Sequence, residues 1–259
     1  MNPGAAFDRL VEIMATLRAP DGCPWDQIQT LETLKQYLVE ETYEVLEALD
    51  DNDPSRHCEE LGDLLLQVVF QAQIRQEEGH FDAADVALAI TDKMERRHPH
   101  VFGESLASDP ESVRKSWHAL KAAEKKEKGG DQSALAGIPR ALPGLLRALR
   151  LTQKAALVGF DWPTLSGVRA KLDEELQELD EAIDLENNER IGEELGDVLF
   201  TVVNLCRHLG IDPENALQGS NQRFETRFRT VEDMCSTDGE SVSEKNQDAL
   251  NVLWGQAKT

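Results

Sequence analysis

Two acidic signatures carry the chemistry this chain can perform. Glu40-Glu41-Thr42-Tyr43-Glu44 is followed by Glu59-Glu60-Leu61-Gly62-Asp63, and the pattern returns as Glu174-Glu175-Leu176-Gln177-Glu178 and Glu193-Glu194-Leu195-Gly196-Asp197. Glu41 and Glu60 are 19 positions apart, as are Glu175 and Glu194, and the two copies are offset by 134 positions throughout. Residues three apart on a helix project from one face. Each copy therefore offers two carboxylate pairs, Glu41 with Glu44 and Glu60 with Asp63, then Glu175 with Glu178 and Glu194 with Asp197. Two antiparallel helices can aim four such groups at one volume, as bundle cores do around metals. Gathered carboxylates repel one another, so some must take protons or a cation must neutralise them.

A Glu-rich helix is ordinarily a solvated face, and an acidic scaffold for protein partners would need nothing more. Three features favour a metal. The acids adjoin apolar stripes, the second pair heads a strongly apolar run, and the arrangement occurs twice at one spacing. Gly62 and Gly196 interrupt that second pair at a cost of about 1 kcal/mol each relative to Ala; a close helix contact or room for a ligand would justify them. All-carboxylate sites suit hard cations, Mg²⁺ first and Mn²⁺ as its substitute. The Glu-x-x-His pairs of di-iron bundles are missing, and none of the six histidines forms a ligand set with the acids.

Magnesium held by few carboxylates usually shares its shell with phosphate oxygens. Arg223 and Arg227 are four apart on one helix face and suited to phosphates, Trp254 can stack on a base, and Lys258 follows one turn later. The first half runs in the same order, with Lys93-Met94-Glu95-Arg96-Arg97 and then Trp117 and Lys121. A nucleotide arriving as its magnesium complex fits this order. A P-loop NTPase is excluded by the lack of its glycine-rich lysine motif. Residues 189–197 partly mimic the acidic helix of a Nudix hydrolase, but the upstream Gly is replaced by Glu175 and the Arg-Glu order is reversed. A regulator that binds nucleotide without cleaving it also remains open at this stage.

The elements that must position these residues are helical. Aromatics are sparse, and Leu, Ala, Glu, Gln, Lys and Arg dominate the 259 residues. Leu34, Leu38, Glu41, Val45 and Leu49 share one stripe, while residues 61–70 are apolar around most of the helix, which predicts burial inside a bundle. Turns are expected at 50–54 and 186–188, making neighbouring helices antiparallel. The expected organisation is all-α, with a helical domain over 1–120, a charged linker over 121–140 and a second helical domain over 141–259. A net charge of −22 argues against direct binding of nucleic acid or an anionic membrane. Cys23, Cys58, Cys206 and Cys235 form no C-x-x-C pair, no signal peptide or membrane-spanning run is visible, and a cytoplasmic protein is the expectation.

Asp21-Gly22-Cys23-Pro24-Trp25-Asp26, residues 95–102 (Glu-Arg-Arg-His-Pro-His-Val-Phe) and Val158-Gly159-Phe160-Asp161-Trp162 complete a wider pattern. With the acidic signatures, they resemble the two-domain bacterial form of MazG-type nucleoside triphosphate pyrophosphohydrolases, over nearly the whole chain. The resemblance implies two tandem MazG-like helical bundles and Mg²⁺-dependent hydrolysis of nucleoside triphosphates to monophosphate and pyrophosphate by a homodimer. Carried over by motif, Glu175, Glu178, Glu194 and Asp197 would hold metal in the better attested C-terminal unit. Lys171, Arg190, Arg223, Arg227 and Trp254 would contact nucleotide, with Glu193 and Lys258 beside them; Glu174 or another acid next to the ligands would accept a proton. Arg223 stands where a lysine is common, exchanging a point charge for a planar fork. The N-terminal set, Glu41, Glu44, Glu60 and Asp63, is intact and by the same resemblance would play a weaker or mainly structural role, with dimerisation as one possibility.

Overall fold

Two helical hairpins carry the acidic signatures. The structure is a computed structural model that describes residues 2–103, 109–110, 112–113, 116–117, 120, 124, 131, 133–237 and 239–258. The described residues contain helices and no strand. The chain divides into two units, Met1–Glu124 and Lys125–Thr259. Half of the stretch expected to be a linker, Lys121 included, lies outside the described residues. The described half holds Glu124, Asp131 and residues 133–140, the last containing a turn held to the following helix by Lys154 Nζ, which donates to the Ala136 carbonyl.

The first unit contains α1 (Pro3–Arg18), α2 (Pro24–Ile28), α3 (Leu34–Asp51), α4 (Pro54–Glu77), α5 (Ala83–Arg97) and α6 (Pro99–Phe102). Its core is Met14, Leu34, Val69, Phe70 and Ile74, with Leu10, Tyr37 and Leu66 packed around them. Arg18 fastens α1 to α4. Its Nε and Nη2 donate to the two carboxylate oxygens of Glu77 at 2.8 and 2.7 Å, and its Nη1 donates to the carbonyls of Asp26 and Gln29. The Glu77 carboxyl is held below its usual range, first by the hydrogen bond from Arg18.

The second unit contains α7 (Gly144–Leu157), α8 (Leu165–Asp184), α9 (Asn188–Leu209), α10 (Pro213–Thr237) and α11 (Gln247–Gln256), with a 3₁₀ turn at Val242–Glu244. Leu149, Val168, Leu172, Ala182, Val203, Val231 and Cys235 are its buried apolar residues. The hairpin α8–α9 repeats α3–α4 down to the turn. Asn52 and Glu186, at equivalent positions, have φ of 53° and 50° and are the two non-glycine residues with positive φ among the described residues. Each is followed by a capping side chain. Asp53 accepts from the backbone N–H of Ser55 and Arg56, and Asn187 from that of Arg190. The caps satisfy orphan N–H groups at the helix starts. They also set Arg56 and Arg190 one turn before Glu60 and Glu194.

The apolar runs are not wholly buried. Leu61, Leu65 and Val68 are exposed, and so are their counterparts Leu195, Leu199 and Val202. Packing against neighbours of the same unit covers one side of α4 and of α9, leaving this stripe at i, i+4, i+7 open. A Cβ on Gly62 or Gly196, beside the stripe, would meet nothing within 4 Å, so no close contact among the described residues explains either glycine. No helix of the described residues is long and apolar enough to cross a membrane.

Candidate metal and nucleotide site

The hairpin geometry gathers the predicted carboxylates in both units. In the second, Glu175 from α8 and Glu194 and Asp197 from α9 place carboxylate oxygens within 4.8 Å of one another. Glu175 is 6% exposed, and the Glu194 side chain 12%. Glu178 joins them one turn along α8. Burial raises its carboxyl pKa, and a hydrogen bond shared with Glu175 and the charges of Glu194 and Glu175 raise it further, against the opposing charge of Lys171. In the first unit Glu41, Glu60 and Asp63 gather within the same 4.8 Å, with Glu44 hydrogen-bonded to Glu41. The Glu41 carboxyl is likewise raised, first by burial and then by Asp63 and Glu44. Carboxylates that resist ionisation together, with a hard-oxygen donor set, fit a divalent cation.

The surrounding cations distinguish the two units. Lys171 Nζ donates to Glu174 at 2.7 Å and lies 3.1 Å from Glu175 Oε1. Its ammonium is held above its usual range by the hydrogen bond to Glu174 first and by Glu175 second. The equivalent position in the first unit is Tyr37, whose ring packs edge-on against Trp25 at 5.8 Å. Arg190 pairs with Glu194 at 3.1 Å and is otherwise open, whereas Arg56 is shared among Glu47 at 3.1 Å, Asp51, and Glu60 at 3.4 Å. Arg223 and Arg227 form no ion pair among the described residues. Arg96 and Arg97, in the counterpart run, both close on Glu124 at 2.8 and 2.6 Å. That carboxyl is pulled down to about 2 by the hydrogen bonds from Arg97 and then Arg96. Arg97 also lies over Trp117, 5.2 Å from its centroid.

Two groups of predicted residues result in the second unit. Lys171, Glu174, Glu175, Glu178, Arg190, Glu194 and Asp197 are in mutual contact or one turn apart. Arg223, Arg227 and Trp254 form a second group, in which Phe224 of α10 packs on the Trp254 ring at 5.2 Å. No hydrogen bond or ion pair among the described residues joins this group to the carboxylates. Glu193 and Lys258 are exposed at the margins.

Sequence reasoning missed Gln67. It lies one turn beyond Asp63 on α4, is 6% exposed, and has its amide hydrogen-bonded to Glu41. Its Oε1 is sealed from solvent and has no hydrogen-bond partner among the described residues. The available signal was a lone amide inside Leu-Leu-Leu-Gln-Val-Val, in step with Glu60 and Asp63. Also missed was a cavity of about 550 Å³ lined by Leu135, Phe160, Trp162, Phe200, Asn204 and Arg207. Arg207 and His208 close on Asp161 beside it.

Comparison with known proteins matches the sequence to a family. The MazG nucleotide pyrophosphohydrolase domain matches residues 29–102 and 164–231, which are the segments bearing the two hairpins. The nucleoside triphosphate pyrophosphohydrolase of Escherichia coli (strain K12) is 46% identical over 255 residues, 97% of each chain. The nucleoside triphosphate pyrophosphohydrolase/pyrophosphatase MazG of Thermotoga maritima is 45% identical over 255 residues, 98% of this chain and 96% of the relative.

Proposed function

The chain belongs to the MazG family, and from that premise we propose that it is a Mg²⁺-dependent enzyme cleaving nucleoside triphosphates between the α and β phosphates, in its C-terminal unit. It is a hydrolase of the phosphoanhydride bonds of nucleoside triphosphates. One observation carries the choice of unit. Arg223 and Arg227 form no ion pair among the described residues, and Lys171 and Arg190 pair only with acids at or beside the carboxylate cluster, where phosphate can take their place. In the first unit Tyr37 replaces the lysine, and Arg56, Arg96 and Arg97 are committed to carboxylates of their own unit.

Glu175, Glu178, Glu194 and Asp197 would hold the cation, with Mn²⁺ able to replace Mg²⁺. When bound, it neutralises phosphate charge and lowers the pKa of water in its shell. The chain's own residues do the rest. Lys171 exchanges Glu174 for a phosphate oxygen, and Arg190 and the Arg223–Arg227 pair fix the β and γ phosphates. Trp254 offers its face to the base, with Glu193 and Lys258 at the rim. Water attacks the α-phosphorus as the bond to the bridging oxygen breaks and pyrophosphate leaves. Glu174, freed of Lys171, accepts the proton from the attacking water. Positioning and electrostatic complementarity supply most of the acceleration.

The exposed stripes on α4 and α9 support a homodimer in which a second copy covers them. Their shared register, with an uncrowded glycine beside each, is what such packing requires. Hydrolysis of ATP in H₂¹⁸O tests the reaction. Label in AMP and none in pyrophosphate is expected. Label in pyrophosphate, or in inorganic phosphate, would move the attack to another phosphorus.

A further inference from the structure

The N-terminal carboxylate cluster differs from its C-terminal counterpart at two positions that touch the carboxylates. At the first, Lys171 Nζ stands 3.1 Å from Glu175 and partly neutralises that carboxylate, while Tyr37 places no charge there. The remaining cation of the first cluster, Arg56, reaches only Glu60, and divides itself between that residue, Glu47 and Asp51. At the second, Gln67 takes the position held by Thr201 in the other copy. Its amide lies against Glu41. Its Oε1 is shut off from water with no donor among the described residues. A buried acceptor left unpaired is destabilising, and a bound ion or water is one of the partners that satisfies such a group.

We propose that Glu41, Glu44, Glu60 and Asp63, with Gln67, form a resident divalent-cation site that fills without nucleotide, whereas the C-terminal cluster binds its cation only together with nucleotide. This rests on reading both sets of carboxylates as cation ligands, and not on hydrolysis. The physical reason is competition. An ammonium ion paired with Glu175 must be displaced before a cation is held well, and an arriving phosphate gives Lys171 somewhere to go. No ammonium ion sits against Glu41 in the N-terminal cluster, where Arg56 reaches Glu60 alone and a hydrated cation also brings water that can donate to Gln67 Oε1. The first unit thereby keeps its acidic signature for a structural ion, and the second uses its own for turnover.

Mn²⁺ titration of the full-length, nucleotide-free protein, followed by electron paramagnetic resonance, separates the sites. One Mn²⁺ per chain should bind at least about tenfold more tightly than any second one. Glu41→Gln should remove that site and Glu175→Gln should leave it. Lys171→Met should tighten the second site by about tenfold. Gln67→Leu should weaken the tight site while the Tm of the metal-free protein does not fall; a Gln67 that merely packs would give a lower Tm and unchanged Mn²⁺ affinity. Two equal sites, no tight site, or a tight site lost in Glu175→Gln and kept in Glu41→Gln would each overturn the proposal. Pyrophosphate release, measured separately, tests the enzymatic reading, so failure of one leaves the other standing.

Discussion

Lys171 and Glu175 face each other across one turn of α8, with Nζ 3.1 Å from Oε1, and the equivalent position in the other hairpin is a tyrosine. The lysine stabilises a carboxylate cluster that would otherwise resist ionisation, and with Arg190 it is one of the two cations in contact with those carboxylates. Lys171→Met should therefore lower kcat/KM by about 10²-fold, the usual cost of one lost charge-stabilising donor. Lys171→Arg should recover part of it, since the charge returns with a different geometry. Steady-state pyrophosphate release is the readout. A loss under about threefold in Lys171→Met would remove the residue from the phosphate site.

The raised carboxyl of Glu178 gives a pH signature. Its folded-state pKa lies above its unfolded value, so its contribution to stability is fully present below the unfolded pKa and is lost as pH rises through the folded one. Without metal, Glu178→Gln should be more stable than the wild type at neutral pH, and the gap should close as pH falls toward the carboxyl range near 4.5. Adding Mg²⁺ together with a nucleotide should stabilise the wild type more than the variant. Thermal melts at several pH values, with Mg²⁺ and nucleotide or with a chelator, check both signs.

Glu186 sits in the left-handed region at φ 50°, where its counterpart Asn52 suits the backbone better. Glu186→Asn should stabilise the chain by about 0.5–1 kcal/mol. Because the turn positions Arg190 only through the Asn187 cap, activity should be unchanged. Urea denaturation and an activity assay on the same preparation check this; a destabilised variant would mean that the Glu186 side chain has an interaction of its own.

Much of this was legible in the sequence because local spacing determines it. The two hairpins, their turns and the inward carboxylates all follow from period-3.6 patterning and from turn residues at fixed offsets. What escaped depends on contacts between distant positions. That Arg96 and Arg97 are consumed by Glu124 could not be read from a residue lying in a stretch that composition marks as linker. That Arg56 is shared while Arg190 is not depends on Asp51, whose counterpart is Leu185, and on which acids the turn brings within reach. The run 61–70, apolar around most of the helix, predicted burial inside a bundle, yet one stripe is open, because composition does not say which neighbours cover which side of a helix. Gln67 gave a signal only by being polar at the wrong place.

The open stripe makes its own prediction. Leu199→Glu places a charge in the middle of the α9 stripe and should shift the protein toward monomer in analytical ultracentrifugation, with the helical circular-dichroism signal retained. A wild type that is already monomeric at working concentration would contradict the homodimer.

In the proposed function the C-terminal carboxylates turn over nucleotide and the N-terminal ones do not. The direct test is pyrophosphate release from ATP and Mg²⁺ by Glu175→Gln and by Glu41→Gln, each confirmed as folded. Glu175→Gln should be inactive, and Glu41→Gln should keep its chemistry, losing at most what reduced stability removes. Activity that survives in Glu175→Gln and vanishes in Glu41→Gln would place catalysis in the other hairpin and contradict the account.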